Sequence, residues 1–597
     1  MAYHHDVSIL IPVWIVLFSI ANGEPLTEVI LKHGGKLRGL RTSFHNTPVN
    51  LFLGVRYAQP PIGELRFQKP KEPLPWEGVV DALKSGNRCA QSSAGAEYEG
   101  DEDCLFLDIT VPVSSVSSPA KPVMVYFHGG NYIKGAGFGF IGGPLAVTGD
   151  LIVITVNYRL GLFGYLFDGK GTGNYGLWDQ RAALLWVKQN IAQFGGDPDL
   201  VTIFGQSAGG GSVSAHTISQ HSNGLFKRAI QQSGSLYSPF SWFTSERSVR
   251  YQRDIISSLR SRTNCLSSKR SIYDCIRHLP TKEIVAAISS PRMLDTPVYP
   301  AADDDFFLSE VDNRTYRNAE KYDLLIGFNE QEGLAVYYFD AVMYARDRNI
   351  SLADGVTMAF IQDYLTEKCD IWFTPYSIEL CVDFIIQTYR LDTAAGDKER
   401  AVRLVEFLGD NMFVADTVSQ TEQHTKSGTS STYAYYFTEP LKNENRLWPK
   451  PSWMRSMAGH LDDLKYLFGA PLLANETSTF WQEQVNASPS LKKTFAGSEE
   501  SDVKLSYAMM LMWSNFAKSG NPNYPVALPE GTPTWPEFTA DTNQFLELNS
   551  KHIKVITTPN KERLAKLRNV LWKDRDRQMD LSNSLEVRTG TSETGNL

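Results

Sequence analysis

Apolar positions along this chain follow two periodicities. Val29 to Phe67 alternates apolar and polar residues between glycine turns, the spacing of antiparallel hairpins with one face buried, and Pro60-Pro61 marks a loop. Leu105–Val111 predicts a further strand. Val123–Phe127 and Leu151–Tyr158 are denser apolar runs without alternation, which predicts strands covered on both faces. Trp178–Phe194 places Leu184, Val187, Ile191 and Phe194 at helical spacing and stops at Gly195-Gly196. Val201–Phe204 is a short buried strand, and the small residues that follow to about His216 predict a helix. Asp323–Phe328, Thr432–Phe437 and Phe545–Leu548 predict three more strands among helices. Strand and helix alternate between about residues 120 and 235, so the expected class is α/β, a large mostly parallel central sheet with helices on both faces. With no repeat, linker or break in composition, one domain over residues 24–575 is the expectation.

Composition narrows the function classes. The chain has 597 residues, 42% of them apolar, enough for a large core. A net charge of −8 offers no cationic surface, which argues against nucleic acid and anionic lipid as partners. Val7–Ile20 is apolar, is too short to span a bilayer comfortably and ends in Ala21-Asn22-Gly23. Residues 1–23 are therefore expected to be a secretory signal peptide, although the leading segment has no Lys or Arg. No later run is long enough to span a membrane, so no stable anchor is expected, and residues 576–597 read as a polar, disordered tail. The six cysteines fall as three close pairs, Cys89/Cys104, Cys265/Cys275 and Cys369/Cys381; in a secreted, extracellular chain these predict three local disulfides, although six cysteines allow fifteen pairings. Sequons at Asn313, Asn349, Asn475 and Asn486 fit an exported glycoprotein. No spacing resembles a zinc site, and no metal or cofactor is expected.

The chemistry-bearing stretch is Gly205-Gln-Ser-Ala-Gly209, between the Val201–Phe204 strand and the small-residue helix. This G-x-S-x-G elbow needs glycines because the turn is too tight for Cβ atoms on both sides of the serine. Ser207 would then stand at a helix N-terminus, where backbone N–H groups can receive an oxyanion. Upstream, His128-Gly-Gly-Asn-Tyr132 follows the Val123–Phe127 strand, where this kind of fold places its second oxyanion donor; Gly130, Asn131 and Ala208 are the candidate donors. Glu332, in Gly327-Phe-Asn-Glu-Gln-Glu-Gly333, is the candidate acid, with Glu330 and Asp340 as rivals. Only His424, His460 and His552 follow it in the usual order of serine, acid, histidine. His424 reads as the exposed end of a polar helix and His552 as part of a charged turn. His460, in a glycine-led loop entering an apolar helix, is the candidate base.

Ordered blocks from about residue 28 to 550 resemble the type-B carboxylesterase/cholinesterase family of α/β-hydrolases. They include Phe52-Leu-Gly54, Glu102-Asp-Cys-Leu-Phe-Leu107, Asn157-Tyr-Arg159, Asp179-Gln-Arg181, Phe194-Gly-Gly-Asp-Pro198, Phe204-Gly-Gln-Ser-Ala-Gly-Gly210, Gln232-Ser-Gly-Ser235 and Asn515-Phe-Ala-Lys-Ser-Gly-Asn-Pro522. The resemblance implies Ser207 as nucleophile, His460 as base and, through the pattern G-x-N-x-x-E-G, Glu332 rather than Glu330 as acid. It also implies the disulfides Cys89–Cys104 and Cys265–Cys275, and has no counterpart for Cys369/Cys381. The chain departs from the family in three ways. Asn131 stands where a third glycine is usual. Gln206 replaces the glutamate of cholinesterases, and residues 90–103 lack their choline-stacking Trp. The C-terminal segment carries no cysteine, retention tetrapeptide or anchor. The chain therefore looks closer to carboxylesterases than to cholinesterases. The expectation is a secreted serine carboxylesterase acting on a small-molecule ester. The alternatives are a cholinesterase proper, or a catalytically silent adhesion or carrier protein such as the neuroligin-like members of the family, which usually lack the serine and carry a membrane span.

Overall fold

The computed structural model describes residues 25–569 apart from 94–95, 114–118, 141, 170–172, 236, 240, 242–251, 254, 258, 262, 264–270, 288–297, 308–317, 374–376, 442–449, 474–475, 477–479 and 482–497. The expected leader and tail, Cys265 and the sequons at Asn313, Asn475 and Asn486 lie outside the described residues. Asn349 is exposed.

The strands are β1 (Leu26–Ile30), β2 (Lys36–Phe44), β3 (Thr47–Arg56), β4 (Val79–Asp81), β5 (Gln91–Ser93), β6 (Ala96–Glu99), β7 (Phe106–Pro112), β8 (Lys121–Phe127), β9 (Ile152–Val156), β10 (Gly196–Gln206), β11 (Arg228–Gln232), β12 (Asp323–Asn329), β13 (Thr432–Phe437), β14 (Gln544–Asn549) and β15 (His552–Thr557). Apart from the small β5–β6 hairpin they form one 13-stranded sheet in the order β1-β2-β3-β7-β9-β8-β10-β11-β12-β13-β14-β15, with β4 beside β2. The middle, from β9 to β14, is parallel, and the flanks are antiparallel except for the short parallel pairing of β4 with β2. This is the expected α/β class. The expected alternation from Val29 holds through Arg56; residues 57–67 are loop and a single 3-10 turn, because Pro60-Pro61 can supply no ladder N–H.

The dense apolar runs are the central strands, and each feeds two cores. Val123, Val125 and Phe127 of β8 pack in one cluster with Leu177, Leu184 and Val187 of the helix Tyr175–Asn190 and Val213 of the helix Ala208–Ile218. Met124 and Tyr126 face the other way, toward Leu505, Met509 and Trp513 of the helix Glu500–Ser519. Successive residues of a strand point to opposite faces, so a strand sandwiched between helices must be apolar throughout. The edge strand β1 instead leaves alternate positions exposed, and β15 has no fully buried residue.

β9 lies on one side of β8 and β10 on the other. The chain thus reverses its direction of winding at β8, and the loops leaving β8 and β10 diverge around a crevice at the carboxyl ends of the strands. β8, β10, β11, β12 and β13 run parallel, so the segments after Phe127, Gln206, Gln232 and Asn329 all emerge at this one rim.

Candidate active site

Ser207 follows β10 with φ 58° and ψ −126°, a left-handed backbone that costs a non-glycine residue about 1–3 kcal/mol. Two backbone hydrogen bonds hold it there: its N–H donates to Gln232 O (2.8 Å), and its carbonyl accepts from Gly211 N–H (2.9 Å). The flanking glycines are sterically required. A Cβ on Gly205 would lie 2.4 Å from Gly209 O, and one on Gly209 2.0 Å from Phe127 O. Gly234 of the Gln232-Ser-Gly-Ser235 block has the same reason, because its Cβ would lie 2.2 Å from Ser207 O.

The loop after β8 closes over this elbow. A Cβ on Gly129 would fall 2.9 Å from Ser207 Cβ. Gly130 has φ 117°, and Asn131 and Tyr132 have φ 57° and 58°, so the position that departs from the family's third glycine does adopt a left-handed backbone, which Asn tolerates. Ala208 is fully buried at the first turn of the helix Ala208–Ile218. Gln91 ties the β5–β6 hairpin, inside the Cys89–Cys104 disulfide loop, to the same segment: its amide donates to Gly135 O (2.9 Å) and accepts from Gly135 N–H (2.8 Å). His128 stacks on Tyr158 and donates through Nδ1 to Gly129 O (2.8 Å); burial lowers its pKa to about 4.

Glu332 and His460 meet. Glu332 is 1% exposed and His460 5%. His460 Nδ1 donates to Glu332 Oε2 at 2.5 Å, and Glu332 Oε1 accepts from Asn329 N–H at 2.6 Å. Gln331 pairs with the chain before His460 through its N–H to Ala458 O (2.8 Å). Gly333 must be glycine, since a Cβ there would lie 1.9 Å from Val405 O. The Phe413 ring covers one part of the imidazole, with centroids 4.5 Å apart.

The rivals are engaged elsewhere. Glu330 accepts from Ala458 N–H (3.4 Å), and Asp340 is buried against Lys368 Nζ (2.8 Å) and Tyr364 OH (2.5 Å). His552 is exposed beside Glu547. His424 corrects the expectation of an exposed helix end. It is 4% exposed, because its own ring turns inward and bonds to Thr432 Oγ1 of β13 (2.7 Å) and Tyr322 O (3.1 Å), while Lys426 nearby faces water.

The nucleophile side is less fully bonded. Among the described residues no hydrogen bond joins the Ser207 hydroxyl to His460. Gln206 Nε2 instead lies 3.3 Å from His460 Nδ1 and 3.2 Å from Nε2, near-equal separations that put the amide over the ring face rather than on either in-plane lone pair. The buried Gln206 Oε1 has no partner among the described residues.

Sequence reasoning missed a second carboxylate. Asp463 is fully buried below His460 and accepts from Gln232 Nε2 (2.7 Å), Tyr435 OH (3.0 Å) and Asn329 Nδ2 (3.3 Å). Burial raises its pKa to about 6; the Gln232 bond opposes this and the neighbouring Glu332 charge adds to it. The same Asn329 amide donates to Gly459 O (2.7 Å), so one residue connects the Glu332 strand to the His460 loop. The only sequence signal was the acidic pair Asp462-Asp463, two and three residues after the histidine.

Cys89–Cys104 and Cys369–Cys381 are disulfides, and Cys275 is disulfide-bonded. Among the described residues no group of three metal-ligating side chains occurs, and no helix is long and apolar enough to cross a membrane.

Comparison with known proteins agrees with this architecture. Neuroligin-2 of Homo sapiens is 31% identical over 596 residues, covering 89% of this chain and 66% of that protein; Neuroligin-3 of Mus musculus is 34% identical over 561 residues, covering 85% and 63%. The chain thus spans about two-thirds of the length of these relatives. The model of the Carboxylesterase family matches residues 26–567, and the chain belongs to that family.

Proposed function

We propose that this protein is a secreted serine carboxylesterase that hydrolyses carboxylic esters through an acyl-Ser207 intermediate. The observation that carries the reading is the buried His460–Glu332 hydrogen bond at the rim where the strained elbow presents Ser207. Glu332 accepts at Nδ1 and leaves Nε2 as the basic nitrogen of the neutral imidazole. Nε2 takes the Ser207 proton as the hydroxyl oxygen attacks the ester carbonyl. The N–H groups of Gly130, Asn131 and Ala208 receive the oxyanion, and the imidazolium returns its proton to the departing alcohol. Water, deprotonated by His460, then attacks the acyl-serine and releases the acid. The bond between serine and histidine that this requires is commonly loose without substrate and tightens in the Michaelis complex.

Ser207→Ala is expected to abolish turnover of a neutral p-nitrophenyl ester, by about 10⁴-fold or more, and to abolish mass-detected labelling by a neutral fluorophosphonate. Undiminished turnover in that variant would rule out the assignment.

A second reading is a catalytically silent adhesion or carrier protein. Identity to Neuroligin-2 and Neuroligin-3 favours it. The retained serine, with a histidine and carboxylate already paired beside it, weighs against it. Absence of fluorophosphonate labelling at Ser207 in the folded wild-type protein would favour the silent reading.

A further inference from the structure

Lys134 is the one charged side chain in the segment that closes over Ser207. Its N–H donates to Gly130 O (3.1 Å), and a Cβ on Gly130 would lie 3.3 Å from Lys134 Cγ. The lysine stem therefore starts against the candidate oxyanion donor, one residue from the glycine that faces Ser207 Cβ. Its ammonium lies over the ring of Phe339, 4.5 Å from the centroid. Phe339 is on the helical segment that follows Glu332, so the cation bridges two walls of the crevice.

The ammonium has no ion pair and no hydrogen bond among the described residues. Glu99, on β6, is the carboxylate that acts on it, but it is engaged with Arg88 Nη1 (3.5 Å). Among the described residues, Arg88, Lys134 and Glu99 bring two positive charges and one negative to this wall. Burial lowers the Lys134 pKa, and Glu99 opposes that only in part. A half-buried ammonium resting on an aromatic face has lost hydration without gaining an anion. An arriving carboxylate would restore that interaction. The protein's net charge of −8 repels anions at long range, so such selectivity has to come from a local cation.

We propose that Lys134 is a specificity-determining residue and that the substrate is an ester carrying a carboxylate, its anion bound by the Lys134 ammonium while Ser207 attacks the ester carbonyl. This rests on the esterase reading above.

Equilibrium binding and labelling separate the two claims. Calorimetry of wild-type protein with 4-phenylbutyrate and with the neutral 4-phenylbutyramide is expected to show the carboxylate bound about ten- to a hundred-fold more tightly, the scale of a charge-assisted hydrogen bond. Lys134→Met is expected to erase the difference and Lys134→Arg to retain most of it. Two fluorophosphonates differing only in a terminal carboxylate or carboxamide are expected to label wild-type Ser207 at rates differing in the same sense, with the difference lost in Lys134→Met. Equal binding of acid and amide by the wild-type protein, or a preference that survives in Lys134→Met, overturns the proposal. A carboxylate preference lost in Lys134→Met, with no labelling of Ser207 by either probe, keeps the anion site and overturns the esterase reading instead.

Discussion

The two halves of the candidate active site are built differently. Around Glu332 and His460 the pair that sets the imidazole is tied down: both Glu332 oxygens accept, and the Asn329 NH2 joins strand to loop while also donating to Asp463, even though Asn329 Oδ1 and Gln331 Oε1 have no partner among the described residues. Around Ser207 the backbone is fixed but polar atoms are left over. Among the described residues no hydrogen bond joins the serine hydroxyl to the imidazole and Gln206 Oε1 has no partner, and the Lys134 ammonium rests on a ring. The contrast follows from what each half must do. An imidazole is useful only in one tautomer and orientation, which neighbours must impose before substrate arrives. Oxyanion donors and a nucleophile act on groups that the substrate supplies, so their positions have to be fixed by the backbone.

The strongest way to break this comparison is Glu332→Gln. It removes the negative charge and leaves one acceptor oxygen for two donors, Asn329 N–H and His460 Nδ1, and is expected to lower kcat toward a p-nitrophenyl ester by about 10⁴ while the protein still folds, measured by steady-state kinetics beside a melting curve. Gly130→Ala attacks the open half. The residue holds φ 117°, and a Cβ would fall 2.0 Å from Lys134 O. Loss of its N–H as a donor is expected to lower kcat/KM by about 10²–10³, with His460–Glu332 intact.

Two smaller effects sharpen the contrast through pH. His128, on the open side, has its folded pKa lowered from 6.5 to about 4 by burial, so its contribution is fully present above pH 6.5 and is lost as pH falls through about 4. Asp463, on the closed side, has its folded pKa raised from 3.8 to about 6; it favours the folded state below pH 3.8 and loses that contribution as pH rises through about 6. Each is worth about 3 kcal/mol, and their opposite signs largely cancel in the wild-type protein between pH 4 and 6. His128→Phe is expected to make stability fall as pH rises across this window, and Asp463→Asn to make it rise. Denaturant melts at pH 4, 5 and 6 check both signs, and unchanged slopes would refute the assignment of these groups.

Much of this architecture was legible because it is local. A run such as Val123–Phe127, apolar at every position, can only be a strand covered on both faces, and the elbow's glycines are demanded by its own turn. Ser207 and the Gly130–Asn131 segment were legible for the same reason. His424 was misread because its surroundings in sequence are polar while its surroundings in space are β13 and the carbonyl of Tyr322. Asp463 was invisible because its partners, Gln232, Tyr435 and Asn329, come from three other strands. The imbalance at Lys134 was hidden likewise, since it depends on Glu99 being engaged with Arg88 and on a ring more than two hundred residues away.

The order of apolar runs, the placement of glycines and the types of reactive side chain belong to the sequence alone, because propensity and turn sterics act over a few neighbouring residues. Which acid faces the imidazole, which histidine is buried for structure, and which charges are left without a counter-ion were decided only when parallel strands brought their carboxyl ends to one rim. Electrostatics and hydrogen bonding act across space within a few ångströms, and the chain carries no record of those distances until it is folded.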